Sequence, residues 1–265
     1  MKEIAVVTGA SSGLGREFVR ELGAFYPSIQ EVWCIGRNIR RLKCLGNTEK
    51  RRIKILPLDL TKESDLKTLS QAFKEELSGG KGAIRLLVNA AGSGYYGPFA
   101  KDSLNRHQET IRINCEALTG VTYLSLPYLR RGSRILQLAS AAAFFPQPDF
   151  AVYAASKAYV LSFSRALSLE LKAKGISVTA VCPGPVDTPF LKRSRAGKNV
   201  PSYKKRTAAN PKAVARLALF HSLKGRNLSL YGGSIHALYL GTQLLPQSCF
   251  SFAASLLNTE KRHSR

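Results

Sequence analysis

A tyrosine and a lysine stand four residues apart in Tyr153-Ala154-Ala155-Ser156-Lys157, and Ser140 precedes the tyrosine by thirteen residues. Side chains at i and i+4 share one face of a helix, with Cβ atoms about 5–6 Å apart. An ammonium beside a phenol favours phenolate. It can therefore bring a tyrosine from its ordinary pKa of about 10 toward the range of an acid–base catalyst. The run after Tyr153, AASKAYVLSFSRALSLEL, predicts the long helix this pairing requires, with Leu161, Ala166 and Leu169 on its buried side. Such a pair also falls together by chance on many helices, so its meaning depends on what the rest of the chain places around it.

The elements that could position it read as alternating strands and helices. Residues 4–8, IAVVT, form a short apolar run without alternation, as in a parallel strand buried on both faces. Gly9, Ser11, Ser12, Gly13, Leu14 and Gly15 follow in a glycine-rich turn, and then comes the helical pattern REFVRELGAF. Glycines between a strand and a helix let backbone N–H groups approach a pyrophosphate at the helix N-terminus. A second strand, residues 31–36, ends in Gly36-Arg37-Asn38. In a dinucleotide fold an acid at this point accepts from the adenosine ribose hydroxyls, whereas an arginine without an acid holds a 2′-phosphate. Gly36 stands where the acid is expected and Arg37 follows, which favours NADP(H) over NAD(H).

Residues 53–58 predict a third strand leading to Asp59 and Leu60, and residues 63–78 an amphipathic helix with Leu66, Leu69, Phe73 and Leu77 on one stripe. Residues 85–92 predict a fourth strand ending in Asn89-Ala90-Ala91-Gly92. A helical region over roughly 103–130 carries Asn114, and a strand over 134–139 delivers Ser140. A sixth strand, 176–184, runs into Pro183-Gly184-Pro185-Val186-Asp187-Thr188; a helix over 211–223 and a short strand at 228–231 close the pattern.

The marks TGxxxGxG, NAAG, Ser140 with Tyr153 and Lys157, and PGPVDT stand in an order that resembles the short-chain dehydrogenase/reductase family, of the compact type, from residue 4 to about 190. The resemblance implies an α/β fold: one Rossmann-type domain over 1–265, a doubly wound parallel sheet with helices on both faces. It implies Asn114, Ser140, Tyr153 and Lys157 as catalytic residues, with Asn114 supporting a water in a proton relay. By the same resemblance Asp59 and Leu60 lie near the adenine, and Asn89, Ala90 and Gly92 lie against the cofactor. Pro183, Gly184, Val186 and Thr188 would hold the nicotinamide carboxamide, and Tyr153 and Lys157 its ribose. Residues 190–210 correspond to a substrate lid. The implied reaction is hydride transfer between NADP(H) and a ketone or secondary alcohol, with no metal, in a homodimer or homotetramer. Two rivals share parts of the pattern. An extended-type nucleotide-sugar epimerase or dehydratase has the tyrosine–lysine pair but needs a larger C-terminal sugar-binding region. A non-catalytic NADP(H)-binding regulator has no need of all four catalytic positions.

Composition sets the frame for this reading. The 265 residues are 45% hydrophobic and 22% charged, which suits one globular domain and excludes disorder. Five cysteines (34, 44, 115, 182, 249) with no CxxC pair argue against a disulfide framework or zinc site, and point to a reducing, cytoplasmic setting. The N-terminal MKEIAVVTGA leads straight into a strand and leaves no room for a signal peptide. Forty Lys and Arg against seventeen Asp and Glu give a net charge of +23, a field that attracts phosphorylated cofactors and other polyanions. No nucleic-acid motif accompanies it, so a nucleic-acid role is not expected.

From Asn227 to Thr259 no Asp, Glu, Lys or Arg occurs, while Lys224, Arg226, Lys261 and Arg262 bracket the stretch. Gly232, Gly233, Gly241 and Pro246 break it too often for a spanning helix, which needs ~20 apolar residues. Residues 233–259 therefore suit an oligomer interface, a substrate lid, or two short helices (235–245 and 248–257) lying peripherally on an anionic membrane. Phe144, Phe145, Phe150, Tyr95 and Tyr96 suggest an apolar, aromatic pocket for a steroid-, lipid- or acyl-like substrate, with Lys192, Arg193 and Arg195 as cations of the lid.

Overall fold

Strands buried on both faces must be covered by helices on both sides, and the chain meets that requirement with cores on each face of its sheet. A computed structural model describes residues 1–46, 51–194 and 208–246, apart from the side chains of Lys192 and Arg193. Seven strands form one parallel sheet in the order β3-β2-β1-β4-β5-β6-β7. They are β1 (Lys2–Thr8), β2 (Glu31–Ile35), β3 (Arg52–Leu56), β4 (Gly82–Asn89), β5 (Leu129–Leu138), β6 (Ser177–Pro183) and β7 (Leu228–Tyr231). Successive side chains of a strand point to opposite faces. Ala5 and Val7 of β1 accordingly join a core with α1 (Gly13–Phe25), α2 (Ile39–Gly46) and α8 (Pro211–Leu223). Ile4 and Val6 join a second core with α3 (Glu63–Leu77), α5 (Ala117–Ser125) and α6 (Ala151–Lys172). The α/β, doubly wound parallel architecture expected from the sequence is thus the observed one.

Two local expectations need correction. The predicted helix over 103–130 is interrupted. It begins as α4 (Leu104–Ile111), passes through a π-helical turn at Arg112–Glu116 before α5, and yields to β5 at Leu129. A π-turn widens the helix by one residue and rotates the turns after it; such turns concentrate at functional sites. In α6 the buried stripe is Tyr153, Lys157, Val160, Leu161, Ser164, Leu167, Ser168 and Leu171. Ala166 and Leu169, expected inside, are exposed, Leu169 by 71%. With ~100° of rotation per residue, Leu169 turns out of a stripe that Ser168 occupies. Small residues on both sides of this helix hide that stripe from simple hydrophobic counting.

The chain order places the C-terminal ends of β1 and β4 side by side, where connections leave in opposite directions along the sheet. In open parallel sheets that reversal opens a crevice at the strand ends, and ligands bind there.

Candidate active site

Gly9 makes the crevice narrow at its base. Its φ is +66°, and a Cβ there would stand 2.7 Å from the carbonyl oxygen of Ala90. Only glycine lets the turn after β1 close onto the exit of β4. The turn then leads into α1 at Gly13, whose N-terminal N–H groups face the same cleft. The cleft has a volume of about 940 Å³ and runs from Arg37, Asn38 and Arg41 at one end to Phe150, Phe190 and Leu238 at the other. That is the upper end of the usual range for small-molecule sites. A glycine cradle at a helix N-terminus, in a cleft of this size, suits the pyrophosphate of a dinucleotide. The residues present therefore fit such a group.

Ser140, Tyr153 and Lys157 meet on one wall. Ser140 leaves β5 in an extended conformation, and its Oγ accepts from the Ala142 N–H at 3.1 Å. The serine side chain stands near enough to the Tyr153 hydroxyl to oppose the rise in its pKa. The Tyr153 ring is fixed by stacking on Phe150, with centroids 4.2 Å apart, and by Phe190 at 5.5 Å. One turn along α6, Lys157 Nζ donates to the Leu138 carbonyl at 2.6 Å and lies 5.7 Å from the Tyr153 ring centroid. Burial pushes the Tyr153 hydroxyl up to about 12, with the Ser140 side chain opposing the rise and Cys182 adding to it. Burial draws the Lys157 ammonium down to about 8. The shift of the tyrosine is thus opposite in direction to the one expected from spacing alone. Sharing a helix face brings the pair together, but the depth of the pair dominates both titrations.

Asn114 sits behind this wall and is fully buried. The π-turn aims its amide at the loop after β4: Nδ2 donates to the Ser93 carbonyl and to Ser156 Oγ, both at 2.9 Å. Its Oδ1 accepts from the Ser93 N–H at 3.0 Å. Ser156 Oγ in turn donates to the Tyr153 carbonyl at 2.7 Å. Asn114 thereby ties the β4 exit to the helix that carries the tyrosine.

A family model described as short chain dehydrogenase matches residues 3–199. The chain belongs to the short chain dehydrogenase family. An uncharacterized oxidoreductase of Staphylococcus epidermidis is 32% identical over 199 residues, covering 74% of this chain and 84% of that protein. The 17-beta-hydroxysteroid dehydrogenase type 3 of Mus musculus is 32% identical over 72% of this chain and 63% of its own length. The very-long-chain 3-oxoacyl-CoA reductase of Rattus norvegicus is 33% identical over 76% and 64%, respectively. The chain thus spans a little under two thirds of these two mammalian relatives. Among solved structures, a short-chain dehydrogenase from Sphingobium yanoikuyae in complex with NADPH shares the fold. Its TM-score is 0.76 at 23% identity, covering 95% of this chain and 96% of that one.

In this short chain dehydrogenase the cleft wall contains most of the residues singled out in the sequence. They are Gly9, Ser11, Ser12, Gly13, Leu14, Arg37, Asp59, Leu60, Ala90, Gly92, Ser140, Tyr153, Lys157, Pro183, Gly184, Val186 and Thr188. Gly15, Asn89 and Asn114 are not on it. Asn89 is buried, and its Nδ2 donates to Thr122 Oγ1 and Gln137 Oε1, both at 2.9 Å, so it fastens β4 to α5 and β5. Of the aromatic candidates, Phe145, Phe150 and Tyr96 line the cleft. Phe144 instead packs away from it against Tyr239, and Tyr95 lines a smaller neighbouring cavity.

Sequence reasoning missed Glu109 of α4; Phe190 of α7 (Pro189–Arg193) falls in the expected lid, and Ile235 and Leu238 of α9 (Gly233–Leu244) in the C-terminal segment for which a substrate lid was one expectation. Glu109 comes from an element whose approach no local spacing encodes. Of the expected lid over 190–210, residues 195–207 lie outside the described residues, as do the side chains of Lys192 and Arg193. Residues 248–257, the second predicted C-terminal helix, also lie outside them. Among the described residues, no helix is long and apolar enough to cross a membrane, and no cluster of His, Cys, Asp and Glu could hold a metal ion.

Proposed function

We propose that this protein is an NADP(H)-dependent ketoreductase that transfers hydride between the nicotinamide and a ketone or secondary alcohol on a hydrophobic substrate. The observation that carries this reading is that Ser140, Tyr153 and Lys157 line one cleft, with Lys157 Nζ 5.7 Å from the Tyr153 ring centroid and apolar and aromatic side chains on the same wall. Bound nicotinamide supplies the hydride chemistry. Ser140 and Tyr153 hold the substrate oxygen by hydrogen bonds and stabilise the charge that develops on it. Tyr153 gives its proton to that oxygen in reduction and takes it back in oxidation. Lys157 binds the ribose hydroxyls and supports the tyrosine, and Asn114 supports proton resupply while it fixes the Ser93 loop. The turn from Gly9 to Gly15 holds the pyrophosphate. Asp59 and Leu60 serve the adenine, and Pro183, Gly184, Val186 and Thr188 the carboxamide.

A hydrophobic substrate is supported by Phe145, Phe150, Phe190 and Leu238 on the wall, and by mammalian relatives whose names specify a hydroxysteroid and a very-long-chain 3-oxoacyl-CoA. The exposed Tyr123 of α5 and Leu169 of α6 support a homo-oligomer. Exposed Leu240, Leu244 and Leu245 favour peripheral contact of the C-terminal segment with an anionic membrane as a second role for that stretch.

Cofactor choice is assigned to Arg37, which lines the cationic end of the cleft. At equal concentration NADPH should stabilise the protein more than NADH. A tenfold affinity difference corresponds to a gap of about 2–4 °C in Tm, and the gap should close in Arg37→Ala. Equal stabilisation of the wild type by both nucleotides would remove the NADP(H) assignment.

Gly94 offers a geometric test of the tyrosine. A Cβ added there would stand 2.5 Å from Tyr153 Cδ2 and 3.1 Å from its Cγ. Gly94→Ala should push the ring off its place, and displacing a reacting group by 1 Å can reduce turnover about 100-fold. Steady-state kinetics and thermal unfolding together check this: kcat should fall steeply, and Tm should drop by a few degrees as the stacked ring is displaced. Unchanged kcat would mean that the ring position does not matter.

A further inference from the structure

Glu109 is the one acid besides Asp59 among the described residues lining the cleft, and it faces the cationic end. Its two carboxylate oxygens have different partners on opposite sides. Oε1 pairs with Arg37 Nη1 at 3.7 Å across the mouth of the adenosine half. Oε2 accepts from the Tyr95 hydroxyl at 2.8 Å. The Tyr95 side is anchored. The Arg106 guanidinium lies 5.0 Å from the Tyr95 ring centroid, and Arg106 is itself paired with Asp102 at 3.1 Å. The Arg37 side is loose, since that side chain is 67% exposed and belongs to the segment after β2.

We propose that Glu109 is a cofactor-specificity residue that competes with the 2′-phosphate of NADPH for Arg37, and so sets how strongly the protein prefers NADPH over NADH. This rests on the NADP(H) reading given above. A guanidinium that turns toward a phosphate must loosen its contact with the carboxylate, and the carboxylate, held by Tyr95, does not follow. The phosphate also brings a second negative charge to the same guanidinium, so the two anions repel each other through partly solvated space. NADH presents only hydroxyls at that position. It neither needs Arg37 nor feels a comparable repulsion from Glu109. The carboxylate therefore weakens NADPH binding selectively.

The test is Glu109→Gln in the full chain, with Kd for NADPH and NADH measured by calorimetric titration at low salt. Glutamine keeps an oxygen for the Tyr95 hydroxyl to donate to, so the loop retains its anchor. NADPH should bind about 3–10-fold more tightly, as loss of one exposed ion pair and one like-charge contact implies, and NADH should change by less than twofold. In an Arg37→Ala background the same substitution should leave the selective gain absent. A residue with a merely structural role would move both cofactors together. Equal changes for the two nucleotides, weaker NADPH binding, or a gain that survives without Arg37 would each overturn the proposal. If the wild type itself shows no preference for NADPH, the NADP(H) reading fails and takes this inference with it. If the wild type prefers NADPH and Glu109→Gln does not raise that preference, only the inference fails.

Discussion

Replacing Tyr153 by phenylalanine should lower kcat for ketone reduction by about 10²–10⁴-fold, the range for loss of a general acid, while Kd for NADPH stays within a few-fold. Most of the ring's surroundings survive the change. The stacking on Phe150 at 4.2 Å and the contact with Phe190 at 5.5 Å involve ring carbons that phenylalanine retains. What disappears is one hydroxyl beside Ser140 and the proton it holds. With that hydroxyl pushed up to about 12, Tyr153 is protonated throughout the neutral range. Reduction should consequently show no tyrosine limb between pH 6 and 9, whereas oxidation, which needs the phenolate, should quicken as pH rises. Following NADPH absorbance over a ketone panel for both proteins decides the matter. A phenylalanine variant that turns over at the wild-type rate would remove Tyr153 from the chemistry and leave the cleft as a binding site.

Sequence alone made the strand ends legible because their chemistry is local. An apolar run followed by glycines must turn sharply, and Gly9 shows why: its positive φ and its contact with Ala90 tolerate no side chain. Arg37 could be placed for the same reason, being the first cation after β2. Features created by packing between distant segments were hidden. Glu109 reaches Arg37 and Tyr95 only because α4 leans over the cleft, and no spacing along the chain records that approach. The π-turn that buries Asn114 looks like ordinary helix in sequence, since one extra residue in a turn carries no compositional mark. Burial depth was hidden as well. The four-residue spacing correctly put Tyr153 and Lys157 on one face, yet gave no sign that desolvation would outweigh their mutual influence.

That depth has a consequence for stability. Lys157→Met should abolish most turnover, by at least about 100-fold, and yet make the protein more resistant to urea at neutral pH. Lys157 is 5% exposed, and among the described residues no carboxylate lies within ion-pairing distance of it. Its charged form is therefore held in the fold against its solvation, and its pKa is drawn from 10.5 down to about 8. The folded state binds this proton less tightly than the unfolded state does. Below pH 8 the ammonium is charged in both states, and the fold bears the full desolvation penalty, ~3 kcal/mol for a displacement of this size. Between pH 8 and 10.5 the folded protein releases the proton first, so the penalty fades as pH rises and is gone above 10.5.

Methionine is similar in length and carries no charge, but it leaves the Leu138 carbonyl without its donor. An unmade buried hydrogen bond costs roughly 1 kcal/mol or somewhat more. The balance gives the variant an advantage of about 1–2 kcal/mol at pH 7, shrinking through zero near pH 9 and reversing beyond it. Urea midpoints for the two proteins, measured at intervals from pH 7 to 10, report the difference directly, because the other titrating groups are common to both. A difference that does not vary with pH would mean that the ammonium is not desolvated in the fold. A crossover would show that the lysine is kept for chemistry at the expense of stability.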